Sequence, residues 1–273
     1  MNRDRMPPLA LVLTLVGAAA MVAPLVWTVL LSLKSNAELL QDTGAAFRGP
    51  YTLENYGAIL KGDMVFRWLL NSLIVSLGTT AGVLALSSLA GFAFARLDFP
   101  FRRTLFVFVL LGLAIPEQAV ILPQHRLFAW LGLHNSYPGL ILPGLVGSFG
   151  VFFMTQYFRG LPRDLDEAAA LDGASTFQIF ARVLLPLTVP AQATLGVFTF
   201  LGSWNAYWWP LISATTSDRF TLTVGLASAQ ANYAQTNGLG YLMAQAVFAS
   251  LPILIVYVLF QRQIVNAIGG AVK

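Results

Sequence analysis

Arg159 to Pro186 reads RGLPRDLDEAAALDGASTFQIFARVLLP, and the fold is decided there. This is a polar stretch between two apolar ones, yet it carries the signals of two helices. Asp164 and Glu167 have capping-box spacing, and an acidic first turn suits the helix dipole. Ala168, Ala169, Ala170 and Leu171 propagate a helix well. Gly173 can take the left-handed conformation that ends it. Ser175 and Gln178 repeat the capping-box pattern and start a second helix through Phe177, Phe180 and Val183. Pro186 and Pro190 stop or kink the chain beyond it. The spacing predicts helix, sharp turn, helix, with Leu171, Phe177 and Phe180 presenting an apolar knob. A short amphipathic helix lying on a bilayer, anchored by Arg159, Arg163 and Arg182, would use the same residues, so local spacing leaves both readings open.

The rest of the chain sets the context. Of 273 residues, 57% are hydrophobic and 10% charged, with a mean hydropathy of +0.70. An ordinary soluble domain carries roughly 25% charged residues. So few charges cannot cover the surface of a soluble fold this size, which makes the chain a polytopic membrane protein. A hydrocarbon core about 30 Å thick needs about 20 apolar residues in a helix. Six stretches qualify: residues 9–33, 68–95, 105–122, 137–158, 187–212 and 241–260. The expectation is one all-α transmembrane domain over residues 1–273, with 159–186 as a structured loop. The third span is short and interrupted by Pro116 and Glu117, a break tolerable only where protein or water satisfies the freed backbone. The first resembles a secretory signal after Arg3 and Arg5. Its apolarity runs on to Leu33, well past the roughly 7–15 residues of a signal core, so it reads as an uncleaved anchor.

Orientation follows from Lys and Arg. With the N-terminus inside, the inner segments hold Arg3, Arg5, Arg96, Arg102, Arg103, Arg159, Arg163, Arg182, Arg262 and Lys273. The outer ones hold Lys34, Arg48, Lys61, Arg67, Arg126 and Arg219, and four of those lie in one long segment where the rule weakens. Both termini are expected to be cytoplasmic. Scattered basic residues argue against nucleic acid, and pI near 9.6 is a topology signal here. The absence of cysteine excludes disulfides and thiolate chemistry, and two histidines are too few for a metal cage, so no metal site is expected. Gly78, Gly82, Ser87, Ser88, Ala90 and Gly91 supply the small residues through which membrane helices pack.

Within 159–186, Glu167-Ala168-Ala169, then Gly173, then Val183 and Leu185-Pro186 resemble the EAA motif of ABC importer permeases, EAA-x3-G-x9-I-x-LP. Val183 in place of Ile is the one departure. The resemblance continues through Glu54-Asn55-Tyr56, Asn71-Ser72, Ala95-Arg96-Leu97-Asp98-Phe99-Pro100, Leu131-Gly132-Leu133-His134-Asn135, Trp204-Asn205, Trp209-Pro210-Leu211 and Gln261-Arg262 with Gly270 to Lys273. These look like the carbohydrate-importer permeases, of the kind similar to the smaller permease of maltose-type transporters. Glu117-Gln118 and Asn237-Gly238-Leu239-Gly240 depart from that pattern.

The resemblance implies a bacterial or archaeal cytoplasmic-membrane permease. It implies a heterodimer with a second permease, two ABC ATPase subunits, an extracytoplasmic solute-binding protein and contact with membrane lipid. Coupling to the ATPases falls on Glu167, Ala168, Ala169, Asp172, Gly173 and Phe177. No Gly-x-x-x-x-Gly-Lys-Ser/Thr occurs, so ATP and Mg belong to partner subunits, and this chain is expected to hold no cofactor and to be no enzyme. Candidate solute-pathway residues are Trp204, Asn205 and Tyr207 at the end of the fifth span, with Glu117 and Gln118 in the third. An amide facing lipid would be left unsatisfied. Glu117 is the one acidic residue inside an assigned span, which marks it as functional by default. Trp208 and Trp209 read as an interfacial aromatic belt. A secondary transporter would be expected to show ion-coupling carboxylates and internal repeats. A lone Glu117 argues against it, and no dyad at membrane depth suggests an intramembrane enzyme. Sugar, oligosaccharide and polyol phosphate all remain open as solutes.

Overall fold

A computed structural model of the chain describes residues 7–61, 64–231 and 238–269. Arg3, Arg5, Asn237, Gly270 to Lys273 and the side chain of Arg262 lie outside the described residues. Among the described residues every regular element is helical. In chain order these are α1 (Pro8–Ser32), α2 (Asn36–Gln41), α3 (Glu54–Leu60), α4 (Met64–Arg96), α5 (Arg102–Leu111), α6 (Glu117–Trp130), α7 (Tyr137–Ile141) and α8 (Ser148–Gly160). Then come α9 (Asp164–Leu171), α10 (Thr176–Gln178), a π-helical turn (Ile179–Leu184) and α11 (Leu185–Leu187). Last are α12 (Val189–Trp204), α13 (Trp208–Ser213), α14 (Leu222–Ala231) and α15 (Leu239–Gly269).

Among the described residues, three helices are long and apolar enough to cross a membrane alone: Pro8–Ser32, Met64–Arg96 and Leu239–Gln261. Three bent pairs bring the number to six if each pair is one span. The third span, expected over 105–122, is two helices, Arg102–Ala114 and Glu117–Trp130, bent by 103°. Pro116 takes an extended ψ of 137°, as a proline N-cap can, and α6 restarts in a new direction. The fourth bends by 47° between Tyr137–Leu145 and Ser148–Gly160. The fifth, expected over 187–212, bends by 75° at its start and stops at Trp204, with α13 a separate helix.

The chain divides into two compact units. The first comprises residues 1–67 and 225–252. Its α1 is exposed along nearly its whole length, with Leu9, Leu13, Val16, Met21 and Leu25 outward, a surface suited to lipid. Just beyond α1, Lys34 is fully buried. Its ammonium donates to the carbonyls of Arg48 and Pro50 (2.8 Å for the latter), pairs with Glu38 at 3.5 Å and lies 5.0 Å from the Tyr51 ring centroid. A buried charge is tolerable only when so surrounded. Asn55 donates to the Ser32 and Lys34 carbonyls, both at 2.9 Å, and closes the end of α1. A Cβ on Gly240 would sit 2.4 Å from the Lys34 oxygen, so only glycine permits that approach. Counting Lys34 as one more outer cation misses this role.

The second unit comprises residues 68–224 and 253–273. Here α4 packs on the broken pair α7–α8 through small residues on both sides. A Cβ on Gly82 would meet Leu145 at 2.4 Å, one on Gly91 would meet Met154 at 2.7 Å, and one on Gly150 would meet Ser87 at 2.3 Å. The predicted small-residue face is therefore a packing face. At one end of this unit Phe92, Phe158 and Phe180 form a ring cluster with centroids 5.1–6.3 Å apart. Met154, Leu184 and Leu195 belong to the same core.

Candidate coupling surface and solute cavity

The 159–186 stretch begins with α9, whose first turn holds Asp164, Asp166 and Glu167. The capping box expected at Asp164 and Glu167 does not form. Arg163 takes the N-cap place with helical angles (φ −72°, ψ −23°) and no side-chain cap, so Asp164 is already inside the helix. The helix ends as the residues require. Gly173 has φ +79°, its N–H donates to the Ala170 carbonyl, and the Ala174 N–H donates to the Ala169 carbonyl, both at 3.0 Å. This is a Schellman ending, with glycine in the left-handed place. The box at Ser175 and Gln178 is present in both directions, at 3.3 and 2.7 Å.

The turn projects. Leu171 is 90% exposed and Phe177 is 69% exposed, and Glu167, Ala168, Asp172 and Gly173 are exposed with them, Ala169 being half-buried. Nothing lies within 4 Å of where a Gly173 Cβ would be. The predicted apolar knob loses one member: Phe180 is 5% exposed and sits in the ring cluster, because the π turn of Ile179–Leu184 rolls it and Leu184 inward. Such turns often occur at functional places.

Arg96, at the end of α4, fixes this loop to the rest of the unit. Its buried guanidinium lies 3.1 Å from Asp166 in α9 and donates to the Leu161 carbonyl at 2.8 Å. Sequence spacing could not pair residues 70 apart; the only signal was an arginine closing an apolar span.

At the far end of α4 the motif residues form a hydrogen-bonded ring. Trp68 donates to the Ser217 carbonyl at 2.7 Å, and Asn71 donates to the Asp218 and Phe220 carbonyls at 2.9 Å. Tyr137 donates to the Asn71 side-chain oxygen at 2.7 Å, and Ser72 accepts from the Leu222 N–H at 2.8 Å. Asn135, with φ 57°, accepts from the backbone N–H groups of Thr215 and Thr216. Trp209 is buried, donates to the Gly139 carbonyl at 2.9 Å and meets Phe128 edge-on. The belt reading therefore fails for Trp209, whose indole N–H is used inside the protein. Trp208 is half exposed.

Next to this ring a cavity of about 450 Å³ is walled by α4, the α5–α6 break, α6, the α7–α8 break and the end of α12. Of the five candidate pathway residues, Glu117 lines it, while Gln118, Trp204, Asn205 and Tyr207 do not. Trp204 is buried and stacked on Phe200 with centroids 5.6 Å apart. Asn205 is exposed and its amide returns to the Leu201 carbonyl at 2.9 Å, ending α12. Gln124, Ser148, Thr199 and Ser203 line the cavity and were not foreseen.

Broken membrane spans around a cavity, with a projecting helix–turn–helix at one end, define an all-helical transport permease. Residues 84–269 match the family described as binding-protein-dependent transport system inner membrane component, and the chain belongs to that family. It is 37% identical over 254 residues to an arabinooligosaccharides transport system permease protein of Bacillus subtilis (strain 168), covering 92% of this chain and 90% of the relative. It is 30% identical to an sn-glycerol-3-phosphate transport system permease protein of Rhizobium meliloti (strain 1021), covering 93% of each. Its fold matches a chain of a bacterial ABC transporter involved in the import of the acidic polysaccharide alginate. The TM-score there is 0.78 at 20% identity, over 93% of this chain and 94% of that one. The fold is that of type I importer permeases, and the chain is a multi-pass inner-membrane permease subunit of an ABC importer.

Proposed function

We propose that the chain carries a carbohydrate or related solute across the membrane as one half of a permease pair. The external binding protein delivers the solute, and two ATPase subunits dock on Glu167 to Phe177. The similarity to an arabinooligosaccharides permease over nine-tenths of both chains supports the solute class. The exposure of Leu171 and Phe177 on a turn pinned from behind by Phe180 and Arg96 carries the docking reading. An apolar pair left in water on a rigid base suits a covering partner. ATP and Mg stay with the ATPases. Their closure moves α9 as a rigid body, and the Arg96–Asp166 pair passes that motion into α4, so ATP and solute bias one two-state equilibrium.

The test is Gly173→Asp. The turn has room for the side chain but not for its backbone angle, so the local strain is roughly 1 kcal/mol and insertion survives. The permease should stay in the membrane while ATPase co-purification falls about tenfold or more, a loss of roughly 1.4 kcal/mol of docking. Glu167→Lys should show a milder form. Normal retention and normal solute-stimulated hydrolysis in Gly173→Asp would end the coupling reading. The proposed topology has both termini and the 159–186 loop inside. In this cysteine-free chain, Ser217→Cys should react with an impermeant thiol reagent in intact cells, and Thr176→Cys only after permeabilisation.

A further inference from the structure

Two broken spans open on one cavity. Thr79 in its wall lies eleven residues along α4 from Trp68, about 16 Å at 1.5 Å per residue. In a hydrocarbon core of about 30 Å that is mid-depth. Non-helical backbone is tolerated there only where it is buried in protein or lines a wet space. Thr79 is 5% exposed. Among the described residues, neither it nor Glu117, Gln124, Ser148, Thr199 or Ser203 makes a side-chain hydrogen bond within the protein. Unpartnered polar groups at this depth are costly, so the cavity is furnished for water and for a solute able to replace that water.

The charge in the wall narrows the solute. Helices α6 and α8 both begin at the cavity, and neither N-terminus carries a side-chain cap. Bare N-termini draw negative charge. Glu117, in the first turn of α6, supplies that charge from the chain itself, and among the described residues no lysine or arginine lines the cavity. We infer that the cavity is a solute-binding site of this chain, selective for an uncharged polyhydroxylated ring over an anionic one, with Glu117 setting the selection. Hydroxyls and the Gln124 amide both donate and accept, the Glu117 carboxylate accepts from sugar hydroxyls, and Trp209 offers an apolar surface. A phosphate or carboxylate on the solute would meet the Glu117 carboxylate, and like charges repel. This inference rests on the transport reading above and adds both the location and the charge of the ligand.

The test uses the full complex in lipid nanodiscs, with Ser203→Cys and, as a second reporter, Thr199→Cys. Because the chain has no other cysteine, the mass of this subunit reports labelling at one position. Arabinotriose, trehalose and maltose serve as neutral probes and sn-glycerol 3-phosphate as the anionic one. At least one neutral probe should slow labelling about tenfold, and glycerol phosphate should not. Adding Glu117→Gln should let glycerol phosphate protect at about tenfold lower concentration than before. If the complex takes up a neutral probe but no probe protects either cysteine, the site is not here, although the transport reading stands. If glycerol phosphate protects while Glu117 is intact, or Glu117→Gln leaves its protection unchanged, the charge selection is wrong. If the complex takes up none of the four probes, the proposed solute class falls and takes this inference with it.

Discussion

The two ends of α4 solve opposite problems. At the Trp68 end, Trp68, Asn71 and Ser72 spend their polar atoms on the backbone of the 217–222 segment, and Tyr137 holds the Asn71 amide in place. At the Arg96 end, an aromatic core and one ion pair hold only the base of the 159–186 loop, and the tip is left bare. A segment whose backbone is already held by the protein's own side chains gains little from a partner. One that exposes Leu171 and Phe177 on a fixed base gains apolar burial when covered. The difference separates a scaffold from the proposed docking face within one unit.

Substitutions can break that contrast. The largest effect should come from Phe180→Ala, which empties the ring cluster. It should cost about 3–5 kcal/mol, seen as a lower melting temperature of the solubilised complex and loss of ATPase together. Asn71→Ala should come next, at about 2 kcal/mol, because the Asp218 and Phe220 carbonyls and the Tyr137 hydroxyl lose their partner. Its signature is faster protease nicking within 213–222 with ATPase retention unchanged. Leu171→Ser should be smallest in stability, below about 0.5 kcal/mol, while still weakening ATPase co-purification. Should Leu171→Ser melt as early as Phe180→Ala, the tip belongs to the core and the contrast disappears.

The parts of the fold legible in the sequence are those set by neighbours a few residues apart. Gly173 and the Ser175–Gln178 box are such features, since cap chemistry acts over three residues. The failure at Asp164 has the same locality: a box needs a non-helical N-cap, and Arg163 extends the helix one residue too early for Asp164 to serve. Pro116 marks the break in the third span and Pro186 with Pro190 the kink at the start of the fifth, but the bend in the fourth escapes, because a hydropathy window averages over breaks and Val146-Gly147 is as apolar as its flanks. Apolarity marks roughly where the helices lie without telling a straight helix from a folded one or fixing its ends: the third pair runs on to Trp130, and α12 stops at Trp204. Lys34 and the Arg96–Asp166 pair escaped for another reason. Burial of a charge depends on what the chain brings alongside it, which spacing does not carry. Polarity inside an apolar span marks Glu117, which lines the cavity, and the aromatic cluster marks Trp204 and Tyr207, which do not; Gln124 lies past the end of the expected third span and Ser203 is a small residue of the kind helices pack through, so neither is marked.

The hydrogen-bonded ring at Trp68 also dictates an order of assembly during synthesis. Lys34 finds its carbonyls 14 and 16 residues later in the chain, almost as soon as it is made. Asn71 and Ser72 must wait for residues 147–150 positions downstream. At about 5–20 residues per second that interval is roughly seven to thirty seconds. For that time the second span sits in the bilayer with its end unsealed. A nascent permease stopped short of Asp218 would therefore present an open asparagine and serine at the membrane surface, a mark by which quality-control proteases could tell an unfinished chain from a finished one.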